Sequence, residues 1–162
     1  DALGPRTVQR VLVTMGAGTA PPVRGLRPVA AVAPGVAAAT GLSLQQLAAA
    51  LVGQLRPAAV VCVDSLCSAE GQRLGRTVQF SDAGLYPAQA DHTRHLTRDT
   101  LGVPVVAAGI PTLMQAQEGA DLVVTPRALD SVIAHGAALL AGSVNRALQP
   151  RLTVQQLCWL TG

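Results

Sequence analysis

Apolar and polar residues fall along this chain in blocks that predict alternating elements. Leu3, Val8, Val11 and Leu12 recur at roughly helical spacing, with Pro5 near the start where helices tolerate it, which predicts a helix over Ala2–Met15. After the loop GAGTAPPVRG, the run RPVAAVAPG (Arg27–Gly35) reads as a short buried strand stopped by Pro-Gly. Ser43–Leu55 is expected to be a helix, capped by Ser43, with Leu44, Leu47, Leu51 and Leu55 on one face. Pro57 ends it, and AAVVCV is the next strand. Arg76–Asp82 alternates like a strand, and AGLYPAQADHTRHLTRD reads as a long polar loop. Val103–Gly109 is expected to be a strand followed by a short helix over IPTLMQAQEG. ADLVVTP is a further strand, and Arg127–Gln149 a long closing helix.

Continuous apolar strands separated by helices predict an α/β fold, with a mostly parallel sheet covered by helices on both faces. In such sheets, ligands and chemistry collect beyond the carboxyl ends of the strands. Five of the six residues before Asp64 are Ala or Val, so the pattern places a carboxylate at the end of a buried strand. An apolar wall around it would raise its pKa. The same position also suits a helix N-cap over Ser65 to Cys67, and the local pattern leaves both readings open.

Composition narrows the function classes. The 162 residues predict one domain large enough to bury a core. Hydrophobic residues make up 49% and aromatic ones 2%, so the core must be built from Val, Leu and Ala. The net charge is +3, all twelve basic residues are Arg, and no basic run is interleaved with aromatics; no direct nucleic-acid partner is expected. No stretch is long and apolar enough for a membrane span, and no signal peptide is visible. Cys62, Cys67 and Cys158 form no CxxC pair and are odd in number, which fits a reducing compartment. Because the chain opens on Asp1 without an initiator Met, a fragment or processed product is expected.

Other polar residues offer less. Asp82 and Gly84 in SDAGLYP follow a predicted strand, and a turn built on the Asp82 side chain, with Gly84 in it, is the simpler reading. Asp91, His92 and His95 in DHTRH lack a fourth ligand and a regular element to orient them, so no metal is expected there. Cys62 reads as core. Cys67 has no His near it in sequence, and His135 sits inside the closing helix. Glu70, Arg73 and Arg76 read as a polar rim.

Six blocks in order resemble the germination protease (spore protease) family. They are DALGP at Asp1–Pro5, RPVAAVAPGVAAATG at Arg27–Gly41, VVCVDSL at Val60–Leu66, VQFSDAGLYP at Val78–Pro87, TLGVPVVAAGIPT at Thr100–Thr112 and LVVTPRALDSVI at Leu122–Ile133. The resemblance implies a three-layer, HybD-like fold (hydrogenase-maturation-endopeptidase-like). It implies an atypical aspartic-type endopeptidase that degrades small acid-soluble spore proteins during germination, in the cytoplasm of the forespore or spore core. It places the two essential aspartates at Asp1 and Asp64, with Asp82 and Gly84 as supporting or substrate-binding positions. No cofactor, metal or membrane partner is implied, and a homo-oligomer, with a tetramer as the candidate state, is.

The whole of residues 1–162 is then expected to be a single α/β peptidase domain whose upstream strand and propeptide are absent. Departures from the family pattern are AQADHTRHLTRD after SDAGLYP, Gln115 where the family has an acid, and only QEGAD where the family carries a long insertion. Two other readings stand beside this one: a maturation endopeptidase acting on a metalloenzyme precursor, and a non-catalytic sporulation protein of the same fold.

Overall fold

A computed structural model of the chain describes residues 2–17, 20–35, 37–86, 95–115 and 123–162. The elements run α1 (Leu3–Val8), α2 (Ala37–Thr40), α3 (Leu44–Leu55), β1 (Val60–Ser68), a single 3-10 turn (Gly71–Arg73), β2 (Gln79–Ser81), α4 (Arg98–Leu101), β3 (Val105–Gln115), β4 (Val123–Val124), α5 (Leu129–Leu148) and α6 (Val154–Thr161). The chain divides into two compact units, Asp1–Ala33 with Ile133–Gly162, and Pro34–Val132.

The second unit holds the sheet, which makes the protein α/β as expected. β3 is its centre. β1 runs parallel to β3 along its length, while β2 and β4 pair with β3 antiparallel over short ladders, so the sheet is mixed. Side chains alternate between faces along a strand. Val60 and Cys62 of β1 and Val105 and Ala107 of β3 therefore share one face, where Leu85, Leu96 and Leu101 complete a buried cluster. α3 covers this cluster with Leu44, Ala48 and Val52, one side chain per turn. The contact stripe is thus rotated from the Leu44–Leu47–Leu51–Leu55 face that the leucine spacing suggested. Leu55, outside this stripe, is exposed.

The start of α3 follows sequence expectation. Ser43 Oγ accepts from the Gln46 N–H at 3.2 Å, and Gln46 Oε1 accepts from the Ser43 N–H at 2.9 Å. This capping box satisfies two of the donors that a helix start leaves open and contributes about 1 kcal/mol. α6 repeats the device with Thr153 and Gln156.

Three local expectations are corrected. The first helix stops at Val8 instead of reaching Met15, because the Leu12 N–H is taken by Asn145 Oδ1 at 2.8 Å. Arg27–Gly35 forms no strand. Its backbone groups go to scattered partners: Val29 O accepts from the Thr14 and Met15 N–H groups, and Gln149, just beyond the end of α5, binds both the N–H and the C=O of Arg27. The helix expected after Gly109 is instead a continuation of β3 to Gln115, still paired with β1 as far as Met114. Pro111 lacks a donor, and the register shift that follows between Leu66 and Cys67 is the kind of irregularity that accommodates proline in a sheet.

The first unit is built from α1, most of α5 and α6. Leu3, Ala137, Leu140 and Ala141 are almost completely buried in it. Two buried amides on α5 and just beyond it, Asn145 and Gln149, lie four residues apart and so share a helical side. They tie down the backbone at Arg10, Leu12 and Arg27.

Among the described residues, no helix is long and apolar enough to cross a membrane.

Candidate active site

Asp64 lies inside β1, not at its end. The strand runs four residues further, because β3 also continues and pairs with it residue by residue: Asp64 with Gly109, Ser65 with Ile110 and Leu66 with Pro111. The helix-cap reading is overturned with it, since strand follows Asp64. Its own Oδ1 accepts the Ser65 N–H at 2.9 Å.

The alternation of β1 puts Asp64 on the face of Cys62 and Leu66, the face that carries the apolar cluster. Half-buried there, its carboxyl is pushed above its ordinary value of 3.8, chiefly by desolvation, while the Ser65 N–H pulls the other way. Such a carboxyl holds its proton further up the pH scale than an exposed one. That is the property required of an acid that must donate at moderate pH.

Two residues that sequence reasoning missed shape this position. Gly109 pairs with Asp64 on one side and Gln79 on the other, so Asp64, Gly109 and Gln79 form one row across three strands. A Cβ at Gly109 would stand 2.4 Å from the Asp64 carbonyl oxygen and 2.7 Å from Leu66 Cγ. The glycine thus lets β1 and β3 close together beside the carboxylate. A glycine inside a strand pattern is the available signal for such an approach, and VPVVAAGIPT carried it. The second is Ser65, whose hydroxyl is buried without a hydrogen-bond partner among the described residues. An unsatisfied buried hydroxyl costs about 1–3 kcal/mol, a penalty of the kind that collects at functional sites.

The other sequence candidates separate. Asp1 lies outside the described residues. Asp82 is exposed just past β2. The register puts it two strand widths from Asp64 (roughly 10 Å) and about three residues along the sheet (roughly 10 Å), too far for direct contact. The turn after β2 is closed by Ser81, whose Oγ accepts the Ala83 N–H at 3.2 Å, where the sequence suggested Asp82 for that task. Gly84 is buried with φ +103, and a Cβ there would stand 2.3 Å from the Leu96 carbonyl oxygen. This close approach accompanies the paired backbone hydrogen bonds of Leu85 and Leu96, at 2.9 and 3.1 Å.

Asp91 and His92 lie outside the described residues, and His95 packs its ring against Tyr86, with centroids 4.8 Å apart. Among the described residues, no group of three His, Cys, Asp or Glu side chains could hold a metal ion. Glu70 and Arg73 form an exposed pair at 3.1 Å, as a polar rim should.

Cys62 is buried in the core as expected, and its thiol is pushed up to about 11, first by burial and then by the charge of Asp64. It stays protonated and unreactive at neutral pH. Cys67 and Cys158 are free and exposed. Alkylation of the native protein with iodoacetamide is therefore expected to label Cys67 and Cys158 and spare Cys62 until the chain unfolds; early labelling of Cys62, read by peptide mass, would contradict its burial.

Comparison with known proteins bears on this site as a whole. A family profile described as Germination protease matches residues 1–118, which include the Asp64 strand and Gly109. The germination protease of Halalkalibacterium halodurans is 39% identical over 140 residues, covering 83% of this chain and 36% of that protein. That of Bacillus subtilis is 38% identical over 121 residues, covering 72% of this chain and 33% of that protein. That of Clostridium perfringens is 28% identical over 208 aligned positions, covering 97% of this chain and 64% of that protein. The chain thus spans between a third and two thirds of the length of these relatives. The order of matched blocks, the extent of the profile and the level of identity agree: the chain belongs to the germination protease family.

Proposed function

We propose that this chain carries the catalytic domain of an endopeptidase that degrades small acid-soluble spore proteins during germination. The single observation that carries the reading is Asp64: a half-buried carboxyl whose pKa is raised by desolvation, inside a strand of the family-matched region. Peptide hydrolysis by two carboxylates needs one protonated and one ionised. The ionised group takes a proton from the attacking water, and the protonated one donates to the carbonyl oxygen or the leaving amine. Burial suits Asp64 to hold the proton. The second carboxylate in this reading is Asp1, which opens the family block DALGP. Asp82 and Gly84 take supporting parts: Gly84 by letting the Leu96 backbone pass, and Asp82 by meeting an extended substrate away from the scissile bond. A protein substrate inside a spore core fits the family and the compartment expected from the unpaired cysteines.

The test is cleavage of a purified small acid-soluble spore protein by the protein that contains this chain, with Asp64→Asn beside it. Cleavage that needs Asp64 supports the reading, and intact substrate after long incubation removes it.

Self-association belongs to the same proposal. On the face of the sheet opposite Cys62, Val61, Val106 and Phe80 are 41%, 37% and 64% exposed, an apolar surface that a second copy would bury. Light scattering is expected to show an oligomer at working concentration, and a monodisperse monomer would exclude it.

A further inference from the structure

The mild net charge of the chain conceals a separation. The unit formed by Asp1–Ala33 and Ile133–Gly162 carries six arginines against one aspartate, whereas Pro34–Val132 carries six arginines against eight carboxylates. In the basic unit, two of the arginines, Arg27 and Arg151, line one feature. An open pocket of about 360 Å3 is lined by Gly25, Leu26, Arg27, Gln149, Pro150 and Arg151. Arg24 precedes this lining in the chain, and Arg146 Nη1 donates to the Pro150 carbonyl at 2.9 Å, which holds a further guanidinium at the rim. Arg24, Arg27, Arg146 and Arg151 are all exposed. None of the pocket's residues belongs to the Asp64 row.

The scaffold under these arginines is fixed. Gln149 is 2% exposed, and its side-chain amide binds Arg27 twice, accepting from the N–H at 3.0 Å and donating to the C=O at 2.8 Å. The Thr14 hydroxyl, also buried, donates to the same Arg27 carbonyl and accepts from the Val29 N–H. Three side-chain hydrogen bonds thus hold the Arg27 backbone, so its guanidinium is presented from a rigid point. Support of this kind lowers the ordering cost of binding an anion.

We propose that this pocket is a docking site for an acidic stretch of polypeptide, in which Arg27 and Arg151 grip Asp or Glu carboxylates. The guanidinium fork matches a carboxylate with two parallel hydrogen bonds. Leu26 and Pro150 offer apolar contact to the aliphatic part of such side chains. No aromatic residue lines the pocket, so bases would find no stacking platform, which favours polypeptide over nucleic acid. Resting on the peptidase reading above, the bound segment belongs to the protein substrate: the pocket captures an acidic stretch of the chain that is to be cut.

The experiment measures binding of a fluorescein-labelled oligoglutamate peptide to the full chain by anisotropy at low salt, with an oligothymidylate of equal charge as the rival ligand. The Arg27→Ala/Arg151→Ala double variant is expected to lose affinity by about 100-fold, at roughly tenfold for each charged hydrogen-bonding partner. An Arg76→Ala/Arg127→Ala variant removes the same charge from the other unit and should change affinity by less than about threefold, the part due to screened long-range attraction. All four side chains are exposed, so both variants are expected to melt with the parent. Equal losses in the two variants, or no saturable peptide binding, would overturn the proposal. Tighter binding of the oligothymidylate, lost in the same Arg27/Arg151 variant, would reassign the site to nucleic acid. Because no cleavage is read, a chain that binds oligoglutamate but cuts nothing removes the peptidase reading and leaves the site standing. A chain that cuts substrate but does not bind the peptide does the reverse.

Discussion

Asp64→Asn is expected to fold, to melt no lower than the parent at neutral pH, and to lose peptidase activity by roughly three to four orders of magnitude, the scale of removing one member of a catalytic unit. The activity loss follows from the proposed role: an amide can neither donate a proton as a carboxyl does nor accept one as a carboxylate. The stability expectation follows from the direction of the pKa shift. Folding raises the Asp64 pKa above its ordinary value of 3.8, so through the interval between the unfolded and folded values the native state binds more protons than the unfolded chain. Stability must then fall as pH rises through that interval, and above it the native state carries the whole cost of a half-buried charge. Asparagine carries no such charge. The difference between the melting curves of variant and parent should therefore be smallest in acid and grow in the variant's favour as pH rises past the ordinary carboxylate range. A constant difference across that range would mean that Asp64 is not desolvated. Full activity in the folded variant would remove Asp64 from the mechanism. Sites that trade stability for function behave in this way.

Gly109→Ala is expected to be the most damaging single-methyl change in the sheet, lowering stability by about 3 kcal/mol, or roughly 6–12 °C in Tm. The added Cβ would stand 2.4 Å from the Asp64 carbonyl oxygen, and the obstacle is backbone in the middle of the longest ladder, not the movable end of a side chain. Relief requires β1 and β3 to separate at the residue that carries the carboxyl. A displacement of about 1 Å there is enough to cost roughly 100-fold in rate, so the surviving folded fraction should also be slow. Thermal melts and initial rates on the same preparation check both. A variant that melts with the parent would show that the two strands do not approach so closely.

How much of this could be read beforehand differs from element to element. The helix over Leu44–Leu55 was legible down to its cap, because Ser43 and Gln46 satisfy each other within one turn and need nothing from the rest of the chain. The closing helix was legible for a related reason: twenty residues of sustained helical spacing outweigh any single neighbour. The strand at Arg27–Gly35 was not. Its apolar run looks like a strand, yet its hydrogen bonds go to Thr14 and to Gln149, more than a hundred residues away. The end of β1 was misplaced for a similar reason. A strand stops where its partner stops, and β3 runs on to Gln115 through a proline that argued locally against it.

The candidate site divides along the same line. That Asp64 follows a run of small apolar residues, and that the chain carries the ordered blocks of the germination protease family, stands in the sequence itself. Both depend only on neighbours along the chain. That Asp64 shares a row with Gly109 and Gln79, that desolvation raises the pKa of its carboxyl, and that Asp82 stands far across the sheet are matters of register and packing between distant segments. The separation of charge into a basic and an acidic unit is of the same kind. The sequence determined the total of +3, but only the tertiary structure decided which residues fold together, because residues 1–33 and 133–162 form one unit across the 99 residues of the other. Short-range propensity and capping are written locally. Desolvation, strand register and the gathering of like charges arise only when segments far apart in the chain are packed against each other.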